Sequence, residues 1–334
     1  MFFQHSILIL LREDDNLGII RILFDIVPLC PALFLFVAGL TLTIPFENDG
    51  YIYTKRSLFH LIIRGTLLIV ISSVLFLIQF GFQFPDMLIS TGILNTIGIF
   101  IIISSLILKF KNKTYISLFF TFIIIFLFII LDIKKIGIKP LTIGYEPLLP
   151  TVIFGFIGLT VGLFFYELKK NQFIQKSFII TLGYIGLIML LFFIVKYHYL
   201  NVLKERHSLI NIFDSNYALQ NIFNKYSSKH HYTESIWNYN IESFLASTGF
   251  VIAIYSIFFF LDHFFKNRNI YNFFLLARYP LFNYIFHLIL IGSATLLFGY
   301  NNLNTISIAI FFIILFSLSY SLSYIIERGK KWKK

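Results

Sequence analysis

Two ionisable residues near the N-terminus have the types and the placement of a proton-transfer pair. His5 lies in FFQHSILILL and Asp25 in RILFDIVPLCP, two apolar segments on either side of the polar Arg12–Asn16. Counted from that polar segment, both residues lie at a similar depth. A carboxylate beside an imidazole orients the ring and raises its basicity, as a general base requires. The alternative is an interfacial His5 and a pair between Asp25 and Arg21, one helical turn back.

A second polar pair lies late in the chain, in ARYPLFNYIFHLIL. Asn283 and His287 are four residues apart and therefore share one face of a helix. Two polar side chains on one face of an apolar helix are expected to point into a helix bundle. They are candidates for stabilising an oxyanion in a cavity. The alternative is a histidine that is satisfied by packing alone.

Arg64 lies well inside the apolar segment LIIRGTLLIV. A charge at membrane depth is expensive, so this arginine needs an anion or carbonyl groups. One interpretation is a ligand for the phosphate or carboxylate of a bound molecule. The other is a structural ion pair, or a side chain that snorkels to the nearby membrane face.

Other chemistry finds little support in the sequence. The chain has one cysteine and no HExxH, CxxC, GxGxxG, Walker A or GxSxG motif. His230 and His231 are adjacent, so their side chains point apart. We therefore predict no metal, no nucleotide hydrolysis and no serine nucleophile. Glu146 precedes Pro147 in GYEPLLP, at the predicted start of a helix. An acidic residue and a proline are both favourable there, so Glu146 needs no catalytic role.

The elements that must position these residues are membrane helices. The chain is 58% hydrophobic and only 13% charged, against about 25% charged residues in soluble domains. We predict an all-α, polytopic transmembrane helix bundle of about ten spans, forming a single domain over residues 1–334. The predicted spans are Met1–Leu11, Gly18–Ile44, Leu58–Phe80, Met87–Leu108, Tyr115–Leu131, Leu148–Phe165, Phe173–Val195, Ile241–Phe265, Phe273–Phe298 and Thr305–Ile326.

The basic residues predict the orientation of the bundle. The chain has a net charge of +11, but its lysines and arginines cluster in alternate short loops, which is the positive-inside pattern. This explains the charge without nucleic-acid binding. It also predicts a cytoplasmic C-terminus. The basic positions on this side are Lys55, Arg56, Lys109, Lys111, Lys113, Lys169, Lys170, Lys176, Lys266, Arg268, Arg278, Arg328, Lys330, Lys331, Lys333 and Lys334.

Two segments depart from a plain alternation of spans and loops. Met1–Leu11 is too short to cross a bilayer, so we expect either a truncated first span with a start codon placed too late, or a half-span. Residues 196–240 form a long polar segment, rich in histidine and asparagine, that we predict to be extracytoplasmic. A loop of this length in a compact protein is typically functional or disordered.

Several segments, taken in order, resemble one family of integral-membrane acyltransferases, which includes the catalytic domain of heparan-α-glucosaminide N-acetyltransferase. FFQHS is similar to the family's opening helix, although the Arg-Gly pair and Asp that precede the histidine there are missing. DIVPLCPALFLFVAGLTLTI resembles the second helix. The other matching segments are Arg64–Gly65 with GILNTIGI, then YEPLLPTVIFGFIGLTVG at Tyr145–Gly162, and ARYPLFNYIFH.

The resemblance implies a reaction. An acyl group, expected to be acetyl, passes from cytoplasmic acyl-CoA to a sugar or glycan acceptor. Arg64 would hold a phosphate of CoA, and His5 would act as general base or carry the acyl group, oriented by Asp25. Asn283 or His287 would stabilise the oxyanion.

Two other functions remain open at this point. A transporter or flippase would use the same buried polar residues as a path for its substrate, without acyl chemistry. An accessory membrane protein would use them only to hold helices together. The acceptor, the length of the acyl chain and the oligomeric state do not follow from the sequence.

Overall fold

A computed structural model of the chain describes residues 29–44, 54–80, 89, 92–138, 141–142, 147–168, 171–200, 241–265, 280–298 and 303–331. These residues form nine helices, with no strand among them. The helices are α1 (Leu29–Thr41), α2 (Lys55–Phe80), α3 (Ile93–Leu108), α4 (Lys113–Ile133), α5 (Leu148–Glu167), α6 (Gln172–Leu200), α7 (Ile241–Phe265), α8 (Pro280–Phe298) and α9 (Thr305–Lys331).

The predicted fold class is confirmed: the protein is an all-α bundle of membrane helices. Of the described helices, α2, α4, α5, α6, α7 and α9 are each long and apolar enough to cross a membrane. The predicted ends agree closely at α5 and α7, whereas α6 continues past Val195 to Leu200 and α9 continues past Ile326 to Lys331. The predicted first span, Met1–Leu11, lies outside the described residues, and a total of about ten spans stays a prediction.

Short polar side chains mark the starts of several helices. Thr54 Oγ1 accepts a hydrogen bond from the backbone N–H of Ser57 at 3.1 Å, at the start of α2. Asn304 Oδ1 accepts from the N–H of Ser307 at 2.8 Å, at the start of α9. The first N–H groups of a helix have no partner within the helix, so a side-chain oxygen at this position stabilises its end.

The chain divides into two compact units. The larger unit contains α1 to α6 and α7 as far as Phe259, and α5 lies at its centre. Fourteen of the 20 residues of α5 are buried, and α5 packs against α1, α3 and α4. Phe156 of α5 forms edge-to-face contacts with Phe100 of α3 and Phe120 of α4, at centroid distances of 5.1 and 5.0 Å.

Glycines allow three pairs of helices in the larger unit to approach backbone to backbone. A Cβ atom added at Gly65 of α2 would lie 2.7 Å from the Gly98 carbonyl oxygen of α3, and the reverse distance is 2.6 Å. Gly186 of α6 and Gly249 of α7 show the same mutual approach, at 2.7 Å. Small residues permit this close packing. Because lipid is as apolar as another helix, burial gives no hydrophobic gain in a membrane, and van der Waals packing drives the helices together.

The third glycine contact joins α1 to α5. A Cβ atom at Gly39 would overlap the backbone of Gly155 and Leu159, and one at Gly158 would overlap the backbone of Phe36. Gly162, farther along α5, faces Thr43 beyond the end of α1. Contacts therefore advance in the same direction on both helices, so α1 and α5 run parallel. The predicted order of spans requires α1 and α5 to cross the membrane in the same direction, because they lie in the second and sixth spans. Which membrane face is cytoplasmic stays a prediction.

The smaller unit contains α8 and α9, which pack against each other. An early residue of α8, Asn283, contacts a late residue of α9, Ser323. The two helices are separated by only a few residues in sequence, so they form an antiparallel hairpin. Ile291 and Ala294 of α8 and Ile308 and Leu315 of α9 are buried.

Candidate functional site

The polar pair predicted on α8 lies inside the smaller unit. His287 is fully buried and Asn283 is 3% exposed. The ring nitrogen Nδ1 of His287 lies 3.0 Å from the backbone carbonyl oxygen of Asn283, one turn earlier on the same helix. Both side chains therefore face into the protein, as their spacing predicts.

The hydrogen bond to a carbonyl fixes which nitrogen of His287 carries a proton. A carbonyl oxygen only accepts, so Nδ1 must be the donor. In a neutral imidazole the lone pair then lies on Nε2, the nitrogen that can take up a proton. The backbone of α8 thus holds His287 in the tautomer whose Nε2 carries the lone pair, which is the form that a general base requires.

Ser323 of α9 orients the side chain of Asn283. Its hydroxyl donates to Asn283 Oδ1 at 3.1 Å, and both residues are buried. Because the amide oxygen faces Ser323, the two N–H bonds of the amide nitrogen point to the other side of the group. Ser323 and Asn283 lie 40 residues apart in sequence, and only the packing of α8 on α9 brings them together.

Ser323 was not predicted from the sequence. A signal was present, because Ser319 and Ser323 are four apart in the serine-rich run of α9, and both are fully buried. The same run also contains the exposed Ser317 and Ser321. The four serines recur at every second position, which is the period of a strand and not of a helix, so the pattern did not separate the buried pair from the exposed pair.

Tyr284 packs against the imidazole. The two rings meet edge to face, with a centroid distance of 5.1 Å and an interplanar angle of 74°. This arrangement is a favoured geometry for aromatic contacts. The His287 ring is thus held on one side by Tyr284 and at Nδ1 by the Asn283 carbonyl.

Arg64 lies on α2 in the larger unit, and its side chain is exposed. The neighbouring Gly65 is buried against α3, so Arg64 lies on the outer side of this helix contact. Within the part of the chain that the structure describes, the guanidinium makes no hydrogen bond or ion pair. The predicted role of Arg64 as a phosphate ligand stays a prediction.

The remaining candidates fall elsewhere. His5, Asp25 and Glu146 lie outside the described residues, so the predicted pairing of His5 with Asp25 stays a prediction. Among the described residues, no group of three or more His, Cys, Asp or Glu side chains comes together as a metal site would require.

Two polar features of the larger unit were not predicted as such. Asn95 and Thr96 are completely buried at the start of α3, in the GILNTIGI segment that carries part of the family resemblance. Thr160 of α5 hydrogen-bonds to Ser117 and Thr121 of α4, at 2.8 and 3.1 Å. This small hydroxyl network holds α4 against α5, and Thr114 of α4 adds a hydrogen bond to the Glu167 carboxylate of α5.

Comparison with known families decides the affiliation. Residues 17–198, more than half of the chain, match the family model described as "Heparan-alpha-glucosaminide N-acetyltransferase, catalytic". The chain belongs to this family. Neither the curated proteins nor the solved structures include a match. The chain is thus an integral membrane protein of an acetyltransferase family, as the sequence predicted.

The family match and the α8 site cover different parts of the chain. The matched residues contain α1 to α5 and all but the last two residues of α6, and with them Asp25 and Arg64. His5, Asn283 and His287 lie outside the matched range. Any role of these three residues must therefore be argued from their own chemistry.

Proposed function

We propose that this protein is a membrane-embedded acyltransferase that moves an acyl group, in the first instance acetyl, from acyl-CoA to a sugar or glycan acceptor. The family affiliation supports acetyl transfer in a membrane. The observation that carries a site for it is the buried His287, whose Nδ1 is committed to the Asn283 carbonyl. A base held in one tautomer in an apolar bundle suits the deprotonation of a weakly acidic acceptor.

The proposed reaction needs one base and one oxyanion donor. Nε2 of His287 takes the proton from the acceptor hydroxyl or amine as that atom bonds to the thioester carbonyl carbon. The carbonyl oxygen becomes negatively charged and accepts from the side-chain N–H of Asn283. The carbon–sulfur bond then breaks, and the CoA thiolate takes the proton from the imidazolium.

This assignment sharpens the roles expected from the sequence. His287 had been a candidate for the oxyanion, but Nδ1–H is already donated to a carbonyl, so a neutral His287 suits the base better. Asn283 keeps the oxyanion role. His5, oriented by Asp25, stays a second predicted base or acyl carrier.

Arg64 keeps its predicted affinity for a phosphate group. Its exposure on the outer side of α2 means that this phosphate would lie outside the packed core of the larger unit. The proposed topology gives the donor a cytoplasmic entry and the C-terminus a cytoplasmic position, in a bacterial inner membrane. The supporting observation is the bias of lysine and arginine to one set of loops.

Purified protein in detergent, incubated with radiolabelled acetyl-CoA, tests the proposal. We expect saturable binding of acetyl-CoA and a slow release of CoA. The rate of this release should rise when sugar acceptors are added. His287→Gln should lower turnover by about two to four orders of magnitude, the usual contribution of a general base. His5→Ala in parallel shows which histidine the reaction needs.

A matched control on the same helix is Ser293→Ala. Ser293 is exposed and donates only to the carbonyl of Ile289, one turn back, so its loss should leave turnover unchanged. A folded, monodisperse protein that neither binds nor consumes acetyl-CoA would refute the acyltransferase proposal and put the transporter first. Full turnover in His287→Gln would refute the role of His287 as the base but would leave the acyltransferase proposal standing.

A further inference from the structure

Three side chains with basic groups form a row on one side of α2. Arg56, His60 and Arg64 are four residues apart, so each lies one helical turn from the next on a single face. All three are exposed. We call these three residues the basic stripe. From Arg56 to Arg64 the stripe rises about 12 Å along the helix, at 1.5 Å per residue.

The surroundings of the stripe are apolar and exposed. Phe59, Ile63 and Leu67 are 60%, 47% and 54% exposed, and α2 turns Gly65 in the opposite direction, against α3. In a membrane, this outer face of α2 meets lipid. A guanidinium on such a face needs an anion or water, because a bare charge at membrane depth is expensive.

Within the described residues, the protein supplies no such anion to Arg64. The Cα–Cβ bonds of a helix tilt toward its N-terminus, so the Arg64 side chain leans toward His60 and Arg56. Its charged end is thus directed to the membrane face at which α2 begins, as snorkelling requires. All three groups of the stripe are therefore directed to the headgroup region at this end of α2.

The start of α2 adds to the positive potential there. Lys55 opens the helix and is exposed, and the free N–H groups of the first turn carry the positive end of the helix dipole. The residues of the stripe supply donors that suit a phosphate: arginine binds phosphate oxygens with two parallel N–H bonds, and histidine adds a further donor.

We propose that the basic stripe of α2 binds the phosphate of an anionic phospholipid in the membrane leaflet at the N-terminal end of this helix. A CoA phosphate has the same chemistry, but the stripe faces lipid rather than the packed core of the larger unit. A phospholipid headgroup is already anchored at this depth and on this side. Its phosphodiester neutralises Arg64 where the protein does not.

Lipid binding to the purified full chain tests the proposal. Native mass spectrometry would follow titration with phosphatidylglycerol and, separately, with phosphatidylcholine of the same acyl chains. We expect bound phosphatidylglycerol to be clearly preferred by the wild type. Arg56→Gln with Arg64→Gln should lower that preference by roughly thirtyfold, since each basic residue near an anionic surface is worth roughly a factor of five.

The matched control removes the same charge elsewhere. Lys109 and Lys111 are exposed between α3 and α4, on the side predicted to face the same leaflet. Lys109→Gln with Lys111→Gln should keep the lipid preference. An equal loss in both double variants would mean unspecific attraction by net charge and would overturn the proposal.

Two further outcomes are decisive. Loss of acetyl-CoA binding in the arginine variant with unchanged phosphatidylglycerol preference would assign the stripe to the donor and overturn the proposal. Should the glutamine variant fail to fold, Arg64→Lys serves instead. It keeps the charge but loses the paired N–H bonds, so we expect a partial loss of preference, and an unchanged preference would count against a phosphate held by Arg64.

Discussion

The larger unit and the α8–α9 hairpin hold their helices together by different means. In the larger unit, glycines bring backbones into direct contact at Gly39 and Gly158, at Gly65 and Gly98, and between α6 and α7. In the hairpin, Gly292 has open space around it, with nothing within 4 Å of an added Cβ atom. There the helices meet through a side-chain hydrogen bond between Asn283 and Ser323.

The difference separates a scaffold from a candidate site. These backbone contacts leave no room for a larger side chain, and every glycine in them except Gly249 lies in the part of the chain that matches the family. The hairpin gains less from close packing but buries an oriented histidine and an amide. A substitution therefore has different consequences in the two regions: loss of fold in the first, and loss of turnover without loss of fold in the second.

The largest expected effect is at the α1–α5 contact. Gly158→Leu would place a side chain against the backbone of Phe36, which has no flexible end that could move aside. We expect several kcal/mol of destabilisation, above the ~1 to 3 kcal/mol of ordinary overpacking, and little folded protein. Fluorescence-detected size-exclusion chromatography and thermal unfolding in detergent measure this.

Gly292→Leu provides the matched control, because the same substitution on α8 meets open space. Its melting temperature should stay within a few degrees of the wild type. Equal damage at Gly158 and Gly292 would contradict the contrast between the two regions.

An intermediate effect is expected at Ser323. Ser323→Ala removes the donor that orients the Asn283 amide, at a cost of about 1 kcal/mol. We expect turnover to fall about fivefold, with little change in the KM for acetyl-CoA and in melting temperature, because the fold does not depend on this hydrogen bond alone. Steady-state kinetics of the purified variant measure the split between kcat and KM.

Ser323→Thr should restore most of the turnover, since it returns the hydroxyl. A purely structural serine would instead lower the melting temperature in step with activity. The role of Ser323 as a positioning residue fails if Ser323→Ala leaves turnover at the wild-type rate.

The smallest expected effect is in the hydroxyl network of the larger unit. Thr160→Val removes the partner of Ser117 and Thr121 but keeps the shape of the side chain. Hydrogen bonds between membrane helices are worth about 0.6 kcal/mol on average, so we expect a small drop in melting temperature. Specific activity per folded molecule should not change, and a strong loss of activity would place this network in the reaction path.

Membrane class and helix positions could be predicted because long apolar segments leave few alternatives. The start of α5 at Leu148 and both ends of α7 agree with the prediction. The inward orientation of Asn283 and His287 also followed from their spacing. In each case the decisive information lies within one helix.

What the sequence could not provide was which face of each apolar helix meets protein. On α2, hydrophobic residues flank both Arg64 and Gly65, so hydrophobic periodicity did not reveal that Gly65 packs inward while the adjacent Arg64 is exposed. Ser323 posed the same difficulty, because its partner is 40 residues away. In a membrane, both lipid and protein interior favour apolar side chains, so hydrophobicity alone does not distinguish inside from outside.

The central position of α5 has a consequence for biogenesis. The helices with which α5 packs most extensively, α1, α3 and α4, all precede it in the chain. During synthesis the ribosome therefore releases α5 only after these three helices have entered the bilayer. Until then, the glycine face of α1 has no helix to meet. We expect a nascent chain arrested before Leu148 to expose that face to lipid or to an insertion factor, and a chain arrested after α5 to bury it against α5.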